Sequence, residues 1–106
     1  MVKLTEHVGF DWDAGNRAKC RKHGLSIEQI EQIFESTIAI LPDVGRSQGE
    51  QRFRAVGRDS EGRAIFVVFT MRRRGENWLV RPISARYMHR KEVMTYEKEN
   101  PDIQDG

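Results

Sequence analysis

Four side chains could carry chemistry in this chain: His23, Glu50, Arg81 and Arg86. An imidazole titrates near neutrality, so His23, beside Lys22 at the end of a helical pattern, is the first candidate acid or base. Glu50, in a loop just before a strand-like run, is the second. Guanidiniums add fixed positive charge and paired donors that match a phosphate. Arg81 interrupts an otherwise apolar strand pattern, and Arg86 follows where that pattern gives way to helix-forming residues, so both would project from rigid elements. Such a set can move protons and hold an anion at a phosphate ester without a metal. Each proton carrier also has a plainer reading. His23 could serve the last carbonyls of its helix, and Glu50 could be a loop charge. The residues alone leave both open.

Charge patterning names the partner such a set would meet. From Met1 to Met71 ten Lys/Arg cancel ten Asp/Glu. From Arg72 to Lys91 seven basic residues face only Glu76, a local net of +6, and from Glu92 to Gly106 five acids face Lys98 alone, a net of −4. A basic band followed by an acidic tail points to a polyanion on one surface; a solvated charged face is the alternative. Within the band, Arg72, Arg73 and Arg74 fall on an expected hairpin tip, where they would add nonspecific backbone attraction. His89, Arg90 and Lys91 would form a secondary rim on a helix.

Other classes find no support. A chain of 106 residues with 38% hydrophobic and 32% charged residues fits one domain, 1–106, with a single core. One cysteine, Cys20, excludes an internal disulfide, and no apolar run approaches the roughly 18 residues of a membrane span, so a cytoplasmic location is expected. Cys20-x-x-His23 puts two possible zinc ligands one helical turn apart, but nothing else has ligand spacing, and neither metal nor cofactor is expected. Phosphate-binding glycine loops, Gly-x-Ser-x-Gly and dinucleotide fingerprints are missing.

The positioning elements read as follows. Phe10-Asp11-Trp12 is extended, Asp13 caps a helix reaching His23, and Gly24 ends it. That helix is expected to bury a narrow stripe of Ala14, Ala18 and Cys20 and to leave Arg17, Lys19, Arg21 and Lys22 on its surface. Ser26-Ile27-Glu28-Gln29 is a reciprocal cap, and Ile27, Ile30, Ile33 and Phe34 give the second helix, to about Glu35, one buried face. Thr37–Leu41 and Arg52–Arg58 read as strands, and Asp59–Gly62 as a turn. Ala64–Thr70 is apolar on both sides, the pattern of a central strand. Trp78 opens a further strand in which Pro82 requires an edge or a bulge. Ala85 to Glu99 favours a third helix, basic at its start and acidic at its end, an order that opposes the helix dipole. Residues 100–106 read as a frayed tail. Short connections imply antiparallel neighbours. The expectation is α+β: two N-terminal helices, an antiparallel sheet of about four strands, and a C-terminal helix.

Phe10-x-Trp12-Asp13, Lys22-His23-Gly24-Leu25-Ser26, Ser47-x-Gly49-Glu50-x-Arg52, Gly57-Arg58 and Arg81-x-Ile83-Ser84-Ala85-Arg86, in that order and spacing, resemble the BrnT toxins of type II toxin–antitoxin pairs. The resemblance runs from Phe10 to about Tyr96. Pro82 stands where that family usually has an aliphatic residue. The resemblance implies a RelE-like fold and an endoribonuclease that cleaves RNA and halts translation. It also implies a BrnA-like, DNA-binding antitoxin that neutralises the toxin and carries it to operator DNA. On an RNA substrate, the resemblance favours His23 and Glu50 as the proton carriers for attack by the 2′-OH. Arg81 and Arg86 would be the phosphate clamps, and Lys22, Arg52, Arg72–Arg74, His89, Arg90 and Lys91 the surrounding backbone contacts. The rival is a basic module that grips nucleic acid without cutting it.

Overall fold

Ala64–Thr70 does form the middle of a sheet, and its alternation explains why. Ile65, Val67 and Phe69 are fully buried on one face, while Phe66 and Val68 are half-buried on the other. In this computed structural model, which describes residues 9–35, 39–42 and 50–99, eight elements follow in order. They are β1 (Gly9–Phe10), α1 (Ala14–Arg21), α2 (Ile27–Glu35), β2 (Ala39–Pro42), β3 (Phe53–Arg58), β4 (Ala64–Arg74), β5 (Asn77–Tyr87) and α3 (Arg90–Glu99). Residues 1–8, the start of the strand expected from Thr37, the Ser47-x-Gly49 part of the family-like pattern and the expected frayed end from Asn100 lie outside the described residues.

The sheet has five strands in the order β1-β5-β4-β3-β2. This corrects the expectation of about four antiparallel strands: β2, β3, β4 and β5 are antiparallel neighbours, but β1 adds to β5 in parallel, Gly9 opposite Leu79 and Phe10 opposite Val80. Two residues cannot announce a strand by periodicity, and their partner lies some seventy positions away. The β4–β5 hairpin turns on Gly75 and Glu76, with Gly75 at φ 62°, the positive φ that a II′ turn requires at its first central position.

Proline 82 lies at a bulge, one of the two placements that its missing N–H allows. Phe69 pairs with Pro82 and Val68 with Ser84, so Ile83 is the extra residue. Beyond it β5 continues through Ala85, Arg86 and Tyr87, opposite Val67, Phe66 and Ile65, and α3 begins only at Arg90. The helix expected from Ala85 is therefore shorter, because ladder pairing and the burial of Ala85, 1% exposed, outweigh a helical propensity of a few tenths of a kcal/mol per residue.

Helices α1 and α2 close the core. Cys20, Leu25, Ile30, Ile33 and Phe34 pack on Ala55, Ile65, Val67, Phe69, Val80 and Ala85. Phe34 meets Phe10 and Phe69 edge-on at 5.6 and 5.4 Å. The cap at Ser26 forms as the sequence predicts: Ser26 Oγ accepts from the Gln29 N–H at 3.1 Å and Gln29 Oε1 from the Ser26 N–H at 2.8 Å. On α1 the buried pair is Asn16 and Cys20, whereas Ala14 and Ala18 are exposed. Asn16 is buried because it is a connector. Its Nδ2 donates to the carbonyls of Asp11 and Pro82, both at 2.9 Å, and its Oδ1 accepts from the Asp13 N–H at 2.7 Å. Asp13 answers by accepting from the Asn16 N–H at 2.9 Å. Helix α3 crosses the opposite face, where it borders a groove of about 430 Å³ shared by Leu41, Phe66, Met88 and Tyr96.

Candidate functional site

The guanidinium of Arg81 is held by the chain segment that starts α1. Its Nη2 donates to Asp13 Oδ2 at 2.7 Å, and its Nη1 lies 3.5 Å from Asp11 Oδ2. Arg74, at the end of β4, reaches Asp11 Oδ1 at 3.0 Å. Asp11 is 7% exposed, so its charge is compensated by two arginines from neighbouring strands. Asp13 is held below the usual carboxylate range, first by the Asn16 N–H that it caps and then by Arg81, whose own proton Asp13 retains in turn.

Arg86 is equally committed. Its two terminal nitrogens grip Glu92 in a fork, at 2.8 and 2.9 Å, while its plane lies 4.9 Å from the centre of the Phe66 ring. Glu92 also accepts from the His89 N–H at 2.9 Å, half of a capping box on α3. Arg86 and that N–H pull the carboxyl down to about 2. The start of α3, basic by residue count, therefore carries an acid in its first turn that suits the dipole.

Glu50 is exposed and paired with Arg72, Nε to Oε2 at 2.7 Å and Nη2 to Oε1 at 3.2 Å. His23 is exposed just beyond α1, before Gly24 at φ 88°, and has no side-chain partner among the described residues. No hydrogen bond or ion pair among the described residues joins any two of His23, Glu50, Arg81 and Arg86. Arg81 and Arg86 stand five residues apart on one strand, roughly 16 Å at ~3.3 Å per residue, and each guanidinium is turned to its own carboxylate, Asp13 or Glu92. His23 and the Asp13–Arg81 pair are separated by the length of α1, about 12 Å at ~1.5 Å per residue.

The phosphate candidates divide by commitment. Arg72 and Arg74 are in ion pairs, and Arg73 lies 5.7 Å from the centre of the Trp78 ring and donates to the Gly75 carbonyl. The His89 imidazole faces the Glu92 carboxylate closely enough to favour its charge, whereas Lys22, Arg52, Arg90 and Lys91 have no side-chain partner among the described residues. The same is true of Arg17, Lys19 and Arg21, which the sequence placed on the surface of α1 but not at a site. A signal for them was present: no acid occurs between Ala14 and His23. Cys20 is fully buried, and burial pushes its thiol up to about 11.

Among the described residues no helix is long and apolar enough to cross a membrane. A comparison with curated proteins gave no match. Residues 12–92, which include Lys22-His23-Gly24, Glu50-x-Arg52 and Ile83-Ser84-Ala85-Arg86, match the model of a family described as the ribonuclease toxin BrnT of type II toxin–antitoxin systems. With most of its length inside that match, the chain belongs to the BrnT family of ribonuclease toxins.

Proposed function

We propose that this toxin is a metal-independent endoribonuclease that cuts RNA by attack of the 2′-OH, thereby stops translation, and is silenced by a BrnA-like antitoxin with which it regulates its own operon. The observation that carries the reading is the face of α1. Arg17, Lys19, Arg21 and Lys22 are exposed and without a partner among the described residues, and they lead to an exposed His23 of which the same is true. Four cations within about 8 Å of helix, spread around its exposed side, can hold an RNA backbone and deliver one phosphodiester to the imidazole. A base there takes the 2′ proton, O2′ bonds to phosphorus, and the bond to O5′ breaks as that oxygen accepts a proton. The products are a 2′,3′-cyclic phosphate and a 5′-hydroxyl.

Glu50 is the second proton carrier of this reading. Its pair with Arg72 is exposed, worth at most about 1 kcal/mol, and can open when a phosphate competes for the guanidinium. Arg81 and Arg86, each pinned by carboxylates, offer preorganised donors rather than net charge. The antitoxin covers the α1 cations with acidic residues, since complementary charge speeds docking and excludes RNA together.

One observation favours a non-cutting nucleic-acid module: the four candidate catalytic side chains are dispersed, and three are tied into internal ion pairs. Incubation of purified toxin with RNA in EDTA separates the two. Fragments ending in 2′,3′-cyclic phosphate are expected; RNA that is shifted in a gel but uncut would leave only the binding module. Growth arrest relieved by the adjacent small reading frame tests the antitoxin.

A further inference from the structure

Trp78 is half exposed, at 50%, although an indole is the side chain with most to gain from burial. The other tryptophan, Trp12, is part-buried and donates its Nε1–H to Glu31 at 2.8 Å. Trp78 leaves the β4–β5 hairpin directly opposite Arg73, whose guanidinium approaches the ring, and Arg72 and Arg74 flank that position. It borders a pocket of about 430 Å³ lined by Glu50, Gln51, Phe53, Thr70, Met71 and Trp78. Thr70 Oγ1 donates to the Gln51 carbonyl at 2.7 Å and fixes the backbone there. The Gln51 side-chain amide is exposed and has no partner among the described residues. A half-exposed indole with the Arg73 guanidinium beside it, and an amide with donor and acceptor atoms that has no partner among the described residues, are what an unpaired base requires; Arg72 and Arg74 would reach its phosphates only by opening their pairs with Glu50 and Asp11.

We propose that Trp78 is a stacking platform for an unpaired base of single-stranded RNA, with Gln51 and Glu50 facing the edge of that base. The proposal rests on the ribonuclease reading for its choice of RNA. It places a base subsite beside Glu50, so that the strand crosses the hairpin tip, and it makes cleavage sensitive to the nucleotide held there.

The test uses the full chain, a 2′-O-methyl oligonucleotide that lacks the attacking hydroxyl, and a strand of equal length and charge with abasic sites. Trp78→Ala is expected to bind the base-bearing strand about 5- to 150-fold more weakly, the change produced by losing one stack of about 1–3 kcal/mol. Trp78→Phe is expected to recover most of that affinity, and the abasic strand to bind wild type and Trp78→Ala alike. Thermal melting shows that the variants fold. Equal affinity of wild type and Trp78→Ala for the base-bearing strand overturns the proposal, as does an equal loss on both strands. Loss of antitoxin binding with unchanged oligonucleotide affinity also overturns it, by assigning the ring to the protein partner. Base-dependent binding with uncut natural RNA supports the platform and removes only the ribonuclease reading.

Discussion

His23 and Glu92 define two kinds of ionisable residue in this protein. His23 is exposed and has no side-chain partner among the described residues, so its replacement should remove chemistry without removing structure. His23→Ala is expected to cut RNA about 10²- to 10⁴-fold more slowly, with an unchanged melting temperature, in a single-turnover assay run beside thermal unfolding. Glu92 is the reverse, a carboxylate whose interactions are internal. Its carboxyl lies at about 2 in the folded chain against the ordinary 4.5 that the unfolded chain recovers. Its contribution to stability is complete above pH 4.5 and fades as the pH falls toward 2. Glu92→Gln should therefore be less stable than wild type by a constant margin down to about pH 4.5, and the margin should close toward pH 2 in denaturant titrations. The margin is small, because the pair is more than one-third exposed to water. A margin that widened in acid would mean that Arg86 does not hold this carboxylate.

Among the elements, α1 depends most on a single side chain. Asn16 joins the Asp11 carbonyl, the Pro82 carbonyl beside the bulge and the Asp13 N–H, which ties the helix start to β5 at the point where Arg81 leaves the strand. Asn16→Ala strands these buried groups and is expected to cost about 1–3 kcal/mol in equilibrium unfolding. It should also loosen Arg81, since the Asp13 N–H loses its Asn16 Oδ1 acceptor while the Asp13 carboxylate keeps only the residue-16 N–H of that cap. Ser26→Ala breaks the cap of α2 at the milder cost of about 0.5–2 kcal/mol, in a helix already held by Ile30, Ile33 and Phe34. A similar loss from both substitutions would mean that Asn16 is only a cap.

For the molecule as a whole, the basic sequence band and the available positive charge are not the same surface. Arg72, Arg74, Arg81 and Arg86 are offset by Glu50, Asp11, Asp13 and Glu92, all four of which lie outside the band. The α1 cations have no such offset among the described residues. Replacing Arg17, Lys19, Arg21 and Lys22 together by Gln should weaken RNA binding and flatten its salt dependence, by about 0.7 in log–log slope for each phosphate no longer neutralised. Replacing the four paired arginines by Gln should change that slope less; the opposite order would return the backbone-binding role to the band. The sequence by itself determined α2 and its Ser26 cap, the N-cap at Asp13, the central strand, an edge or a bulge at Pro82 and membership of the BrnT family, because spacing, caps and proline geometry are local properties. Only the tertiary structure decided that β1 joins β5 in parallel, that β5 absorbs Ala85 to Tyr87, and which arginines are matched by acids. Each of those depends on a partner brought close by the fold, and neither strand pairing nor charge compensation is visible in a count along the chain.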